Sequence, residues 1–252
     1  MPGEPILQLR DVAVDFSGFR AINGLDLRVE KGELRCLIGP NGAGKTTALD
    51  VICGKVRARS GQITLMGEDI TRLPEYRIAR RGVGRKFQVP SVFHELSVRD
   101  NLEVAYCKRL GVFANVRRFR RGAARSDLEK LAELVGLEGE LDRQAGYLSH
   151  GQTQWLEIAL LLAQDSAVIL LDEPTAGMTA QETMHTAKIV NALKGRHTLL
   201  VVEHDMAFVR EISDIITVMH QGRVLAEGTA SVIQSDPLVR EAYLGHGGIA
   251  RA

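Results

Sequence analysis

Gly39-Pro40-Asn41-Gly42-Ala43-Gly44-Lys45-Thr46 follows the spacing G-x-x-x-x-G-K-[ST], that of a phosphate-binding loop. Its glycines let the backbone curl and aim successive N–H groups at phosphate oxygens, beside a helix N-terminus that favours negative charge. In that chemistry Lys45 reaches the β- and γ-phosphates as a point charge and Thr46 places its hydroxyl on Mg²⁺. Thr47, the next residue, is counted with the nucleotide-binding stretch. Leu34 to Ile38 reads as a strand entering the loop, and Thr46 to Cys53 as a helix that Gly54 ends. An ordinary Gly-rich turn has no reason to agree at eight positions and both flanks, so the stretch predicts binding of a nucleoside triphosphate.

A second constellation is Ala167-Val168-Ile169-Leu170-Leu171-Asp172-Glu173-Pro174. A continuous apolar run suits a parallel strand buried on both faces, and its carboxyl end is where open α/β sheets bind ligands. Asp172 is expected in the Mg²⁺ shell; Glu173, one residue on, is positioned to orient or deprotonate the attacking water. A further apolar strand, His197 to Val202, ends in Glu203-His204-Asp205. A lone histidine there is most often structural; only the ensemble makes His204 a candidate for contacting the γ-phosphate and water. Between the two constellations, Leu148-Ser149-His150-Gly151-Gln152 has capping-box spacing and leads into a helical run from Trp155.

The elements that must carry these residues follow from periodicity. Ile6 to Phe16 and Leu25 to Val29 alternate apolar and polar residues, and Gly61 to Leu65 is another short strand. They predict an antiparallel sheet beside the nucleotide core, with Phe16 on its edge, where it either stacks on adenine or serves as a core residue; Phe19 is the weaker candidate. Gly82 to Phe87 reads as strand-like. From Val89 to Leu148 the pattern is mostly helical, with starts at Ser97 and at Ser126-Asp127-Leu128-Glu129. Ile215 to Met219 and Val224 to Gly228 predict a hairpin about Gln221-Gly222, and Pro237 to Leu244 a closing helix. The fold class is α/β, with an antiparallel β subdomain and a helical insertion. One domain over 1–252 is expected: a core of 1–88 and 160–252, and an insertion of 89–159.

Composition narrows the partners. Lys+Arg 32 against Asp+Glu 31 leaves a net charge of +1, which makes no electrostatic case for nucleic acid. No apolar run approaches a membrane span, and the N-terminus lacks the form of a signal peptide, so a cytoplasmic location is expected, with any membrane role through a partner. Cys36, Cys53 and Cys107 have no C-x-x-C spacing and read as small core residues rather than ligands or disulfides. Arg117-Arg118-Phe119-Arg120-Arg121 reads as a solvated face, with proximity to anionic lipid headgroups the sharper alternative.

Taken together, these residues resemble the ATP-binding subunit of ABC transporters along essentially the whole chain. Gly39 to Thr46 is similar to that family's Walker A loop, Gln88 to its Q-loop glutamine, Leu148 to Gln152 to its signature, Val168 to Glu173 to its Walker B strand and His204 to its switch histidine. The resemblance implies a RecA-like phosphate-loop core, with ATP and Mg²⁺ as cofactors. It places Gln88 among both the catalytic and the metal-binding residues, beside Glu173 and His204. It implies a head-to-tail pair closed around two ATP molecules, in which Ser149, Gly151 and Gln152 of one subunit's signature meet the nucleotide held by Lys45 of the other. It also implies two membrane permease subunits, a second ABC ATPase, an extracytoplasmic solute-binding protein acting indirectly, and a place on the cytoplasmic face of the membrane. Val89 to Glu95 matches the region that receives a permease helix, with Val92 and Phe93 as anchors.

More narrowly, Arg85 to Phe93, the His-containing signature followed by Gln154-Trp155-Leu156-Glu157, and Ala176-Gly177-Met178-Thr179 resemble importers of branched-chain amino acids, amides and urea, most of all the urea type. His150 stands where the signature usually has glycine, and Thr179 where aspartate is usual. Two other classes are weighed. A soluble ABC ATPase acting on DNA or ribosomes usually carries coiled coils, tandem domains or basic stretches, none evident here. A phosphate-loop kinase or GTPase has no signature between its two Walker motifs.

Overall fold

The computed structural model describes residues 4–16, 18–86, 92–109 and 123–244. Two sheets carry the architecture. The antiparallel one comprises β1 (Leu7–Phe16), β2 (Phe19–Val29), β4 (Ser60–Leu65) and β5 (Glu68–Asp69), in the order β2-β1-β4-β5. The other runs β10-β9-β3-β8-β7-β6, from β3 (Leu34–Ile38), β6 (Val83–Arg85), β7 (Val168–Asp172), β8 (Thr198–Val202), β9 (Ile215–His220) and β10 (Arg223–Gly228). Its strands are parallel except for β10, which returns against β9 as the expected hairpin.

The apolar run of β7 is divided between two cores, as a strand covered on both faces must be. Ile169 and Leu171, with Leu199 and Val201 of β8, pack toward α3 (Val98–Arg109), α4 (Ala123–Val135) and α5 (His150–Ala163). Leu170 and Leu200 face the other way, onto α1 (Lys45–Ile52) and the antiparallel sheet. The remaining helices are α2 (Glu75–Arg80), α6 (Ala180–Leu193), α7 (Met206–Ile212), α8 (Ala230–Ser235) and α9 (Pro237–Leu244).

In β1 the buried set changes phase, from Leu7 and Leu9 to Val12 and Val14. A slip of one residue would turn every later side chain to the wrong face. The strand absorbs it in a bulge: its register with β2 shifts between Leu9 and Val12, and Asp11 adopts φ 47, its N–H bonded to Asp26 Oδ1 at 2.9 Å.

Two expectations are corrected. Phe16 is not on a sheet edge: β1 is interior, flanked by β2 and β4, and Phe16 stands at its end opposite Phe19, 45% exposed. That exposure also removes it from the core. The capping-box spacing at Ser126 does not start a helix, since α4 is already helical at Ala123 and Ser126 lies within it. The division expected at 159/160 lies within α5, a continuous helix that spans it. Gln88, Val89 and Arg117–Arg121 lie outside the described residues. Cys36, Cys53 and Cys107 form no disulfide among the described residues; Cys36 and Cys53 are buried, and burial pushes the Cys36 thiol far up, where it stays protonated.

Candidate nucleotide site

Leu37 of β3, Val202 of β8 and Asp172 of β7 stand in register across the sheet. The segments leaving those strands (39–44, 203–205 and 173–176) therefore emerge side by side at the carboxyl end of the sheet. This register is what gathers residues more than a hundred positions apart.

Gly39 begins the loop at φ 150, where a Cβ would lie 2.2 Å from the carbonyl oxygen of Met219 on β9, so no side chain fits. α1 then starts at Gly44 without any side-chain cap, whereas Ser149, Thr179 and Asp205 cap α5, α6 and α7. Its first N–H groups, on Lys45, Thr46 and Thr47, have no intrahelical acceptor. An uncapped helix start with a positive dipole end is an anion site, and it fits a phosphate. The Lys45 ammonium is held against the loop, donating to Gly39 O at 2.7 Å and Pro40 O at 3.0 Å. Burial lowers the Lys45 pKa, and the Glu173 and Asp172 carboxylates oppose that shift.

Thr46 Oγ1 lies 3.5 Å from Asp172 Oδ1. Two neighbouring oxygens on an octahedral Mg²⁺ stand about 3 Å apart, given metal–oxygen distances of about 2.1 Å. Two protein oxygens with the remaining positions left to phosphate and water is how Mg²⁺ is usually bound. The pair thus fits Mg²⁺ with a shift of a few tenths of an ångström. Asp172 is buried, which raises its pKa, while the neighbouring Arg85 charge lowers it.

Glu173 follows at φ 47, in the left-handed region, its N–H donating to Val202 O at 2.9 Å. That turn directs its half-exposed carboxylate toward His204, whose Nδ1 lies 3.6 Å from Glu173 Oε1. A carboxylate and an imidazole facing each other across an open strand end can hold a water between base and phosphate. Glu203, given no role from sequence, organises both segments. Its buried carboxylate accepts from Thr175 Oγ1 at 2.6 Å and Thr175 N at 3.1 Å, and from the His204 N–H at 3.0 Å. The available signal was an acid directly after a buried strand that neighbours the strand of Asp172.

The strand β2, which begins at Phe19, is linked to the loop through the β9–β10 turn. The Gly222 N–H donates to Ala43 O at 3.0 Å, and its carbonyl accepts from Asn23 N at 2.9 Å, four residues past Phe19. The middle of β2 is thereby tied to the flank of the phosphate loop.

The start of α5 is built as its spacing requires. Ser149 Oγ accepts from Gln152 N at 3.2 Å, and Gln152 Oε1 accepts from Ser149 N at 2.9 Å. Gln152 Nε2 lies 3.3 Å from Glu140 Oε1. Within this subunit the Gln152 amide closes the helix start. His150 Nε2 lies 3.0 Å from Ala176 O, joining this helix to the segment that follows Glu173. Thr179 forms a capping box with Glu182, and the Glu182 carboxylate lies so close to Gly151 that a Cβ there would be 2.4 Å from Oε1. The Thr179 N–H and hydroxyl hold the Glu182 pKa below the usual range.

The fold and this strand-end cluster define a phosphate-loop nucleotide hydrolase of mixed α/β architecture. A family model described as ABC transporter matches residues 22–176, and one described as branched-chain amino acid ATP-binding cassette transporter matches 223–249. The chain belongs to the ABC transporter family, as one of its ATP-hydrolysing subunits. It is 40% identical to the high-affinity branched-chain amino acid transport ATP-binding protein BraF of Pseudomonas aeruginosa, over 96% of this chain and 98% of BraF. With the corresponding LivG of Escherichia coli K12 the identity is 38%, over 96% and 98%. The crystal structure of MJ1267, an ATP-binding cassette of an ABC transporter in its ADP conformation, superposes with a TM-score of 0.83 at 30% identity, covering 97% of this chain and all of MJ1267. Among the described residues no helix is long and apolar enough to cross a membrane.

Proposed function

We propose that this chain supplies the energy for import of branched-chain amino acids or of small solutes handled by similar transporters, on the cytoplasmic face of the membrane. The observation that carries this reading is the convergence of phosphate loop, Asp172, Glu173 and His204 at one sheet end, in a chain that also builds a capped signature helix at Ser149. The proposed mechanism rests on this arrangement together with the family resemblance. The loop N–H groups and Lys45 bind the triphosphate, and Phe16 stacks on the base. Thr46 and Asp172, with Gln88 assigned by resemblance alone, would hold Mg²⁺, and the ion would neutralise phosphate charge. Glu173 accepts a proton from the attacking water, which His204 positions. Ser149 and Gly151 act on the nucleotide of a second subunit, so that closure depends on the triphosphate.

Two permeases, a second ABC ATPase and a solute-binding protein complete the proposed assembly, and 89–159 forms its helical insertion. A groove of about 530 Å³, lined by Tyr76, Phe93, Val104 and Leu160 among others, suits a permease helix. Val92, however, is 7% exposed and belongs to the core, so Phe93, 57% exposed, is the available anchor.

The curated relatives favour branched-chain amino acids; the motif resemblance noted above favours urea as a second solute. Two measurements test the reading. Glu173→Gln keeps size but removes the proton-accepting charge, so ATP should bind without turnover and hold an ATP-dependent dimer in light scattering, alone or with the partner ATPase. Full hydrolysis by this variant would remove Glu173 from its role. ATP-driven uptake into vesicles bearing the whole transporter, with leucine and urea offered separately, decides the solute.

A further inference from the structure

Arg85 stands at the end of the edge strand β6. In the structure its side chain is 4% exposed and reaches two elements. Nη2 lies 3.4 Å from Asp172 Oδ2 on β7. Nη1 bonds Asp50 Oδ1 on α1 and lies 3.3 Å from Cys53 Sγ, one turn further along the same helix. Asp50 is four residues after Thr46, so it sits on the Thr46 face of α1.

The two oxygens of Asp172 are thus divided between tasks. Oδ2 faces the guanidinium, and Oδ1 faces the Thr46 hydroxyl at 3.5 Å. A carboxylate bonded on one oxygen by a fixed cation cannot turn freely, so its other oxygen keeps a set direction. The planar fork of arginine spans from Asp50 to Asp172, which a lysine point charge cannot do in the same way. The arginine therefore bridges the two elements that carry Thr46 and Asp172.

We propose that Arg85 is a positioning residue for the divalent cation: by clamping Asp50 and Asp172 it sets the Thr46–Asp172 gap and aims Asp172 Oδ1 at the metal. This rests on the reading of Thr46 and Asp172 as the protein's Mg²⁺ ligands. Arg85 also lines the groove proposed for the permease, so the clamp stands between that surface and the metal position.

The test uses the full chain, Mn²⁺ as the probe and electron paramagnetic resonance as the readout, with ADP bound. Arg85→Gln and Arg85→Lys are compared with the parent, and Asp50→Asn serves where Arg85→Gln does not fold, because a carboxylate left buried without its cation is costly. Loss of such an orienting partner typically weakens metal affinity 10- to 100-fold. Arg85→Gln is expected in that range, Arg85→Lys between it and the parent, and Asp50→Asn also weakened. ADP affinity in excess chelator should stay within about twofold, since that binding does not use the metal. Asp172→Asn is the control. If it leaves Mn²⁺ affinity unchanged, the metal reading itself fails. If it weakens Mn²⁺ and the folded Arg85 and Asp50 variants do not, the clamp is wrong. An equal loss of metal-free ADP affinity in the Arg85 variants would also overturn it, because the arginine would then be shaping the whole pocket.

Discussion

Removing the Lys45 ammonium separates a binding role from a structural one, because the lysine also has partners within the protein. Its Nζ rests on Gly39 O and Pro40 O, at 2.7 and 3.0 Å. In the proposed role those contacts would exchange for about two phosphate oxygens. Hydrogen bonds to charged groups contribute about 1.5–3 kcal/mol each, so two phosphate contacts contribute about 3–6 kcal/mol. Giving up the loop carbonyls offsets part of that, leaving about 2–4 kcal/mol. At about 1.4 kcal/mol per tenfold, Lys45→Ala should weaken ATP binding by roughly 30- to 1000-fold, as read by titration calorimetry. Folding should change much less: the variant loses two hydrogen bonds but also relieves a charge that burial disfavours. A Tm within a few degrees of the parent, together with the affinity loss, is the expected pair of results. ATP affinity within threefold of the parent refutes the assignment, and a large fall in Tm shows that the lysine acts mainly by holding the loop together.

Thr179→Ala removes the capping box of α6 and should cost about 1 kcal/mol, some 2–4 °C in Tm for a chain of this size; an unchanged Tm shows that Glu182 holds the helix start unaided. Asp15, Asp69 and Glu182 are held below their usual pKa by, respectively, the Arg59 side chain, the Thr71 side chain and the Thr179 N–H. Their folded pKa values are the lower ones, so each stabilises fully above about pH 4–4.5 and progressively less as pH falls through the folded value. Arg59→Met should move the acid unfolding midpoint upward at low salt and little at high salt, followed by circular dichroism. Phe93→Ser should reduce co-purification with the permeases while basal ATP binding is unchanged; undiminished co-purification and transport would remove the groove from its proposed role.

The parts legible in the sequence are those whose signals are local. The phosphate loop, the apolar strand ending at Asp172, the hairpin about Gln221-Gly222 and the reciprocal cap of Ser149 and Gln152 each declare themselves within a few residues. Contacts set by the folded sheet do not. Arg85 finds Asp172 across 87 residues and Glu203 finds Thr175 across 28, and nothing near either residue announces its partner. Other signals were local but competed. Thr179 and Glu182 have the spacing of a capping box, yet the departure from aspartate drew attention instead. Ser126 shows the reverse case: the same spacing within a helix already formed, where a serine has no free N–H groups to cap. The phase change in β1 was visible as letters, but that a bulge absorbs it follows only from the paired strands.

The backbone at Glu173 has a further consequence. A side chain held at φ 47 costs on the order of 1 kcal/mol or more, which glycine would not incur. Glu173→Gly should therefore melt at a higher temperature while turning over no ATP. At this one residue, survival on heating and turnover select opposite sequences. A library ranked by heat resistance would enrich idle proteins here, because the fold prefers glycine where the proposed mechanism needs a glutamate.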